Sequence, residues 1–344
     1  MKKFFLSGVV ITVLAMSSAL FAQSTESLMN AGNELLQRGA FDQAVTQFRQ
    51  IVSREPRNFE AQYNLAFAYL GWGRNSNAVD EFRKALSLRP NSSHAWGNLA
   101  IAYENQGKTN DAINALSNAV KYDPNNITAR INLASMYANT NRLNQAINAY
   151  MDIVKSGHRE SNVMLNLAKC LISANRIEEA KNYLRESIAA DPSNVEARWE
   201  LADIFWKREK EPAKAINELK LAISVRPDVG SLYDQLAGIF ESEGQKPEAV
   251  EQLKKALVYT TDVLAKERIQ ARIDRLEGKN VRQTTGSAPA PQMKQMRRED
   301  ESGSGSQRRV APAAPVKVDF GDLLDEEEET KSADPMGDLM KKKK

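Results

Sequence analysis

Five asparagines, Asn30, Asn64, Asn98, Asn132 and Asn166, stand 34 residues apart each time. A primary amide carries two N–H donors and a carbonyl acceptor, the complement of a peptide bond. A regular ladder of such groups suits capture of an extended peptide by its main chain, whatever its side chains. The row gives way to Glu200 and Gln235, which limits a ladder to its first five members. The same row reads equally as an array of amides that bind only water, since an exposed amide costs little when hydrated.

No other residue set suggests chemistry. His94 and His158 are the two histidines and lie 64 residues apart, with no Cys or carboxylate cluster at metal-ligand spacing beside either. No phosphate-cradling GxxxxGK or GxGxxG occurs, and no GxSxG nucleophile context. The net charge is +3, with 47 basic and 44 acidic residues interspersed, so no basic stripe suggests nucleic acid. Cys170 is the single cysteine, which excludes an intramolecular disulfide, and its neighbours Leu167, Ala168 and Leu171 mark it as a small core residue. A non-enzymatic protein without cofactor or metal is expected.

The elements that position the asparagines are periodic. Within 93–126, Trp96, Leu99, Tyr103, Ile113, Leu116 and Val120 fall at helical spacing in two groups parted by Asn-Gln-Gly-Lys, the pattern of a helical hairpin. The skeleton recurs at 25–58, 59–92, 93–126, 127–160, 161–194, 195–229 and 230–262. Gly32, Ala66, Ala100, Ala134, Ala168, Ala202 and Ala237 form one small-residue row, in the first helix (A) of each unit. Ala44, Ala78, Ala112, Ala146, Ala180, Ala215 and Ala249 form another, in the second helix (B). Residues that stay small mark where two helices approach closely. Pro56, Pro90, Pro124, Pro192 and Pro227 close helix B, with His158 in the proline position of the fourth unit. The sixth unit holds one extra residue, which the run KREKEP places in its inter-helix turn as a local bulge.

On these residues the chain resembles the tetratricopeptide repeat family over 25–261, most closely through Trp96, Leu99, Ala100, Tyr103, Ala112, Ala119 and Pro124. The resemblance implies an all-α fold, a right-handed α-solenoid of seven helix-turn-helix repeats with the A helices lining a concave groove. It also implies peptide binding in that groove, because asparagine ladders serve so in some members. Asparagine is nonetheless the commonest residue there in the family, so an inherited consensus explains the row as well. Another family mode clamps a C-terminal carboxylate with basic residues of helix A; Met29, Tyr63, Gly97, Ile131 and Leu165 stand at the first clamp position and argue against it. Instead Tyr63, Phe67, Ile131, Leu165, Trp199 and Trp206 suggest an apolar track, with Glu196, Glu200, Asp203, Asp234 and Glu241 making its far end acidic. A ligand with apolar anchors and positive charge is expected there, and at least one of the two tryptophans is expected to pack between repeats.

The ends differ in composition. Lys2 and Lys3, an apolar run over 4–14 and small residues up to Ala22 have the layout of a cleavable signal peptide at 1–22, with Ala19 as the alternative cleavage position. This predicts a periplasmic or secreted protein. Residues 262–277 predict a capping helix with a stripe of Val263, Leu264, Ile269, Ile273 and Leu276. From 278 to 344 the composition predicts a disordered, low-complexity tail. It carries two related segments, Phe320-Gly-Asp-Leu323-Leu324 and Met336-Gly-Asp-Leu339-Met340, read as docking motifs for a second protein partner. Four terminal lysines without an acyl chain give at most weak membrane contact.

Together these features lead to the expectation of a cell-envelope scaffold that holds an extended peptide in its groove. The alternative is an assembly or structural factor of an envelope machine, acting through its convex surface and tail. On the ladder reading, Ala at Asn98 and Asn132 weakens capture and leaves the melting temperature nearly unchanged.

Overall fold

The computed structural model describes residues 24–279, so the expected signal segment and the two tail motifs lie outside the described residues. Among the described residues there are fifteen α-helices and no strand. Seven consecutive pairs are followed by one further helix. The pairs are α1 (Thr25–Gln37) with α2 (Phe41–Arg54), α3 (Phe59–Gly71) with α4 (Asn75–Leu88), α5 (Ser93–Asn105) with α6 (Thr109–Tyr122), α7 (Ile127–Asn139) with α8 (Leu143–Lys155), α9 (Ser161–Ser173) with α10 (Ile177–Ala190), α11 (Val195–Asp203) with α12 (Pro212–Val225), and α13 (Gly230–Ser242) with α14 (Lys246–Tyr259). The last helix is α15 (Val263–Leu276). Contacts divide the chain into two compact units, one up to Leu133 and one from Ala134.

Five of the seven A helices begin on a polar side-chain cap, while α9 and α13 start after Glu160 and Val229 without one. Ser24, Asn58, Ser92, Asn126 and Asn194 accept a hydrogen bond from the backbone N–H three residues on, and Asp262 does so for α15. Such caps contribute about 1 kcal/mol each by satisfying an otherwise orphaned donor. Two of them also tie neighbouring repeats together. The Asn126 amide donates to Ser93 Oγ at 3.1 Å, and that of Asn194 donates to Ser161 Oγ at 2.9 Å.

The turn from A to B is built differently, with a left-handed residue at Gly39, Gly73, Gly107, Asn141, Asn175, Lys210 and Gly244. The N–H of the next residue reaches back five positions to close the A helix, as Ala40 does to Leu35, Arg74 to Tyr69 and Lys108 to Tyr103. Glycine or asparagine suits a conformation that costs other L-residues roughly 1–2 kcal/mol.

Both small rows lie in the hairpin cores, every member buried. A Cβ added to Gly32 would come within 2.5 Å of the Phe48 ring, so the Phe48 side chain of α2 fills the space beside α1 there. Twelve positions separate the A-row and B-row residues of each hairpin, except for thirteen between Ala202 and Ala215. The extra residue does not bulge the inter-helix turn as expected. It is absorbed one turn earlier, where α11 continues as a π-helix over Ile204–Arg208 and the Glu211 N–H reaches back six residues to Phe205. Ala202 and Ala215 thereby both stay fully buried. The cost falls on Lys210, which takes the left-handed position at φ 60° without being glycine or asparagine.

At the C-terminal end, Ile269 and Ile273 of α15 enter a core with Tyr233, Ala237, Leu253 and Ala256. The expected apolar stripe is therefore only partly covered, because Val263 and Leu264 remain 67% and 68% exposed.

Lys210→Gly should stabilise the protein by roughly 0.5–1 kcal/mol, the relief of left-handed strain less the entropy of a glycine. This corresponds to a rise in Tm of about 1–4 °C for a chain of this size. A lower melting temperature in the variant would show that the turn is unstrained.

Candidate functional site

The asparagine row is not a uniform ladder. Asn30 is exposed, whereas Asn64 is buried, its amide donating to Asn33 Oδ1 at 3.1 Å on the preceding A helix and lying 3.5 Å from Met29 Sδ. Asn98 is half-buried and donates to Tyr63 Oη at 2.7 Å, again on the preceding A helix. In the first unit these amides hold adjacent repeats together. The Asn98 bond between repeats is at odds with the expectation that alanine at Asn98 and Asn132 leaves the melting temperature nearly unchanged.

The physical reason is the neighbour at hand. Tyr63 is itself fixed, with its ring stacked between Phe59 and Phe67 at 6.0 and 6.4 Å and edge-on to Phe82 at 5.8 Å. Its hydroxyl is thus presented to Asn98 with little freedom left to lose.

In the second unit Asn166 is half-buried and lies close to the Tyr150 hydroxyl, as does Ser135. Tyr150 is fully buried, and its Oη finds no hydrogen bond of acceptable geometry among the described residues. Burial pushes its pKa up. Asn132 is half-buried on α7.

The apolar track is corrected too. Tyr63, Phe67 and Leu165 are buried within their units, so they fill the hairpins instead of facing a ligand. Ile131 and Trp199 are half-exposed. Trp206, on the π-helix, donates Nε1–H to Ser242 Oγ at 3.1 Å and packs on α13, where a Cβ added to Gly238 would lie 3.3 Å from its ring. The acidic end is neutralised from within. Lys169 pairs with Glu196 and Lys207 with Asp203, while Arg272 of α15 takes both Asp234 and Glu241. The cation expected from a ligand is supplied by the chain.

One opening remains in the first unit, and its signal in the sequence is a missing side chain. Gly97 holds the register position of Tyr63 and Ile131, and a Cβ placed on it meets nothing within 4 Å. Half-exposed Asn98 and Ile101 flank this open space on α5. On the B-helix side, a cavity of about 400 Å³ opens between α4, α5 and α6, with Arg83, Trp96, Tyr103, Asp111 and Asn118 in its walls. The Arg83 guanidinium lies over the Tyr103 ring at 5.7 Å and donates to its hydroxyl at 3.0 Å.

Two isolated titratable groups complete the picture. Cys170 is buried, and its thiol is pushed up to about 12, which leaves it inert. Glu104 stands in the register of the buried Leu36 and Leu70, and burial raises its pKa. It also sits next to the last residue of α5, where the helix dipole disfavours a negative charge. Among the described residues no group of three or more His, Cys, Asp or Glu could hold a metal, and no helix is long and apolar enough to cross a membrane.

Paired antiparallel helices repeated at 34 residues, in register through two small-residue rows, define a tetratricopeptide repeat protein. The chain belongs to the family described as the Cilia and flagella-associated protein 70 C-terminal domain, whose model matches residues 11–225. Crystal structures share the fold. A tetratricopeptide repeat protein from Parabacteroides merdae is 18% identical with a TM-score of 0.53, the match covering 74% of this chain and all of that one. The C-terminal part of a TPR repeat-containing protein from Cytophaga hutchinsonii is 13% identical with a TM-score of 0.60, over 70% of this chain and 98% of that one. No curated protein matches the chain. Stacked repeats of this kind are scaffolds that offer extended surfaces for binding other proteins.

Asn98→Ala and Tyr63→Phe should each cost about 1 kcal/mol of stability, the net worth of a hydrogen bond. A double-mutant cycle by denaturant unfolding should show them coupled by a similar amount; additive losses would mean that the bond contributes nothing. For Glu104 the sign follows from its raised pKa. Stability is highest when the carboxyl is protonated and is lost as pH rises through the folded-state pKa. Glu104→Gln should therefore melt higher than wild type at pH 7 and lose that advantage as pH falls below the ordinary carboxylate range. Parallel melting curves at all pH values would contradict it.

Proposed function

We propose that the protein is a non-enzymatic scaffold that binds a segment of another protein along the A-helix side, with the notch at Gly97 receiving an apolar anchor of that segment. The observation that carries this reading is the open space over Gly97, in a register where Tyr63 and Ile131 stand on either side. Recognition there comes from room for a side chain, flanked by Ile101 and the polar Asn98. Asn30 and Asn132 of the first unit, and Asn166 of the second, are additional amides for a peptide backbone. The N-terminal sequence supports export and a site of action in the periplasm or outside the cell. The tail segment around Met336 is the candidate for contact with a second partner.

The B-helix cavity beside Arg83 and Trp96 favours a second reading, an assembly factor that works through its outer surface. A photoreactive residue in place of Ile101, compared with one in place of Asn118, separates the two in the native envelope. Partner capture from position 101 supports the groove, and capture only from position 118 supports the outer surface. Gly97→Leu should abolish capture from 101 while leaving the fold intact or slightly more stable, because leucine favours a helix over glycine by about 1 kcal/mol. Undiminished capture from 101 in that variant would sink the notch.

A further inference from the structure

The C-terminal end of the second unit carries an apolar surface that its own helices leave open. Val258 is 75% exposed, and with Leu257, Lys266, Glu267 and Gln270 it lines a cleft of about 430 Å³ between α14 and α15. Val263 lies four residues before Glu267 and seven before Gln270, so it stands on the same face of α15 at the mouth of the cleft. Leu264 adjoins it. Beyond this apolar start, α15 carries four cations against Glu267 and Asp274. Lys266, Arg268 and Arg275 have no carboxylate partner among the described residues, whereas Arg272 and Lys279 are paired. Leu264 and Arg268 are one turn apart, so the helix presents an apolar end followed by cations.

The chain holds a segment with the complementary order. Residues 320–329, FGDLLDEEEE, place Phe320, Leu323 and Leu324 first and five carboxylates directly after. It follows Lys279, at the end of α15, by about 40 residues. A flexible chain of that length has a root-mean-square span of roughly 35 Å, longer than a helix of fourteen residues, roughly 21 Å. We infer that residues 320–329 dock in cis on the end of the second unit, Phe320, Leu323 and Leu324 covering Val258, Val263 and Leu264 while 325–329 lie along Arg268 and Arg275, which share the Leu264 face of α15. The related segment at 336–340 is excluded by charge. It is followed by four lysines, which would face the same cations. Docking on its own chain also hides an apolar surface that would otherwise favour association between copies.

The test uses the full chain, with cysteines that spare the proposed contacts. Glu267→Cys is combined with Gly321→Cys in one protein and with Gly337→Cys in another, and a short bis-maleimide reports proximity. Native Cys170 stays silent because it is buried and its thiol pushed up to about 12. Tether length alone favours position 321 over 337 by roughly 1.6-fold, from the −3/2 power of 42 against 58 linking residues. Docking should raise the ratio of intramolecular crosslinking rates to tenfold or more at low salt. Leu323→Asp with Leu324→Asp should return it to the tether value, and 0.5 M salt should reduce it by screening the acidic run. A ratio of about 1.6 in the parent pair overturns the proposal, as does faster reaction at 337. Crosslinked dimers as the main product also overturn it and assign the surface to a second copy of the chain.

Discussion

The burial of the two small-residue rows inside the hairpins is the constraint on which the structure depends. Gly32 has no room for a Cβ against Phe48, and its counterparts at 66, 100, 134, 168, 202 and 237 are all alanine. Such a contact tolerates no change of register, since a larger side chain would force the helices apart and cost packing along their whole length. The sixth repeat shows how firmly it is held. Given one residue too many, the chain opens a π-turn and puts Lys210 in a left-handed conformation, and Ala202 and Ala215 both remain fully buried. Local strain of about 1–2 kcal/mol is smaller than the loss of a close-packed hairpin core.

The repeat, its period and its buried rows were legible because each rests on residue type at fixed spacing. What could not be read was the partner of each polar side chain. An asparagine announces two donors and an acceptor, and says nothing of where they go. Asn64 finds Asn33, and Asn98 finds Tyr63, because in each case a side chain on the preceding helix ends at the right height. Tyr63 illustrates the converse error. As a large aromatic in the groove register it suggested a ligand contact, yet Phe59, Phe67 and Phe82 enclose it.

Arg272 had no local signal at all. It lies 31 and 38 residues from the carboxylates it neutralises, on a helix whose composition announced only a solvating cap. Electrostatic readings of a repeat surface fail in this way when the array ends, because the terminal helix contributes charges that no internal repeat supplies. The exposed Val263 and Leu264 have the same origin. A helix that follows the last hairpin has a neighbour on one side alone, so part of a stripe wide enough for two stays uncovered.

These placements bear on where recognition can occur. A ligand that drew on the Asn98 amide would have to displace Tyr63 and leave a hydroxyl unpaired, a penalty of roughly 1–3 kcal/mol set against whatever the new bond contributes. The same holds for Asp234 and Glu241, already engaged by Arg272. Polar groups satisfied within the chain are poor levers for binding, however regular their spacing. Gly97 and the cleft beside Val258 differ in kind: there space or apolar surface is unclaimed, so occupancy gains contact without breaking any. With Asn64 and Asn98 engaged between repeats, the open space over Gly97 offers shape in place of amides in that part of the first unit.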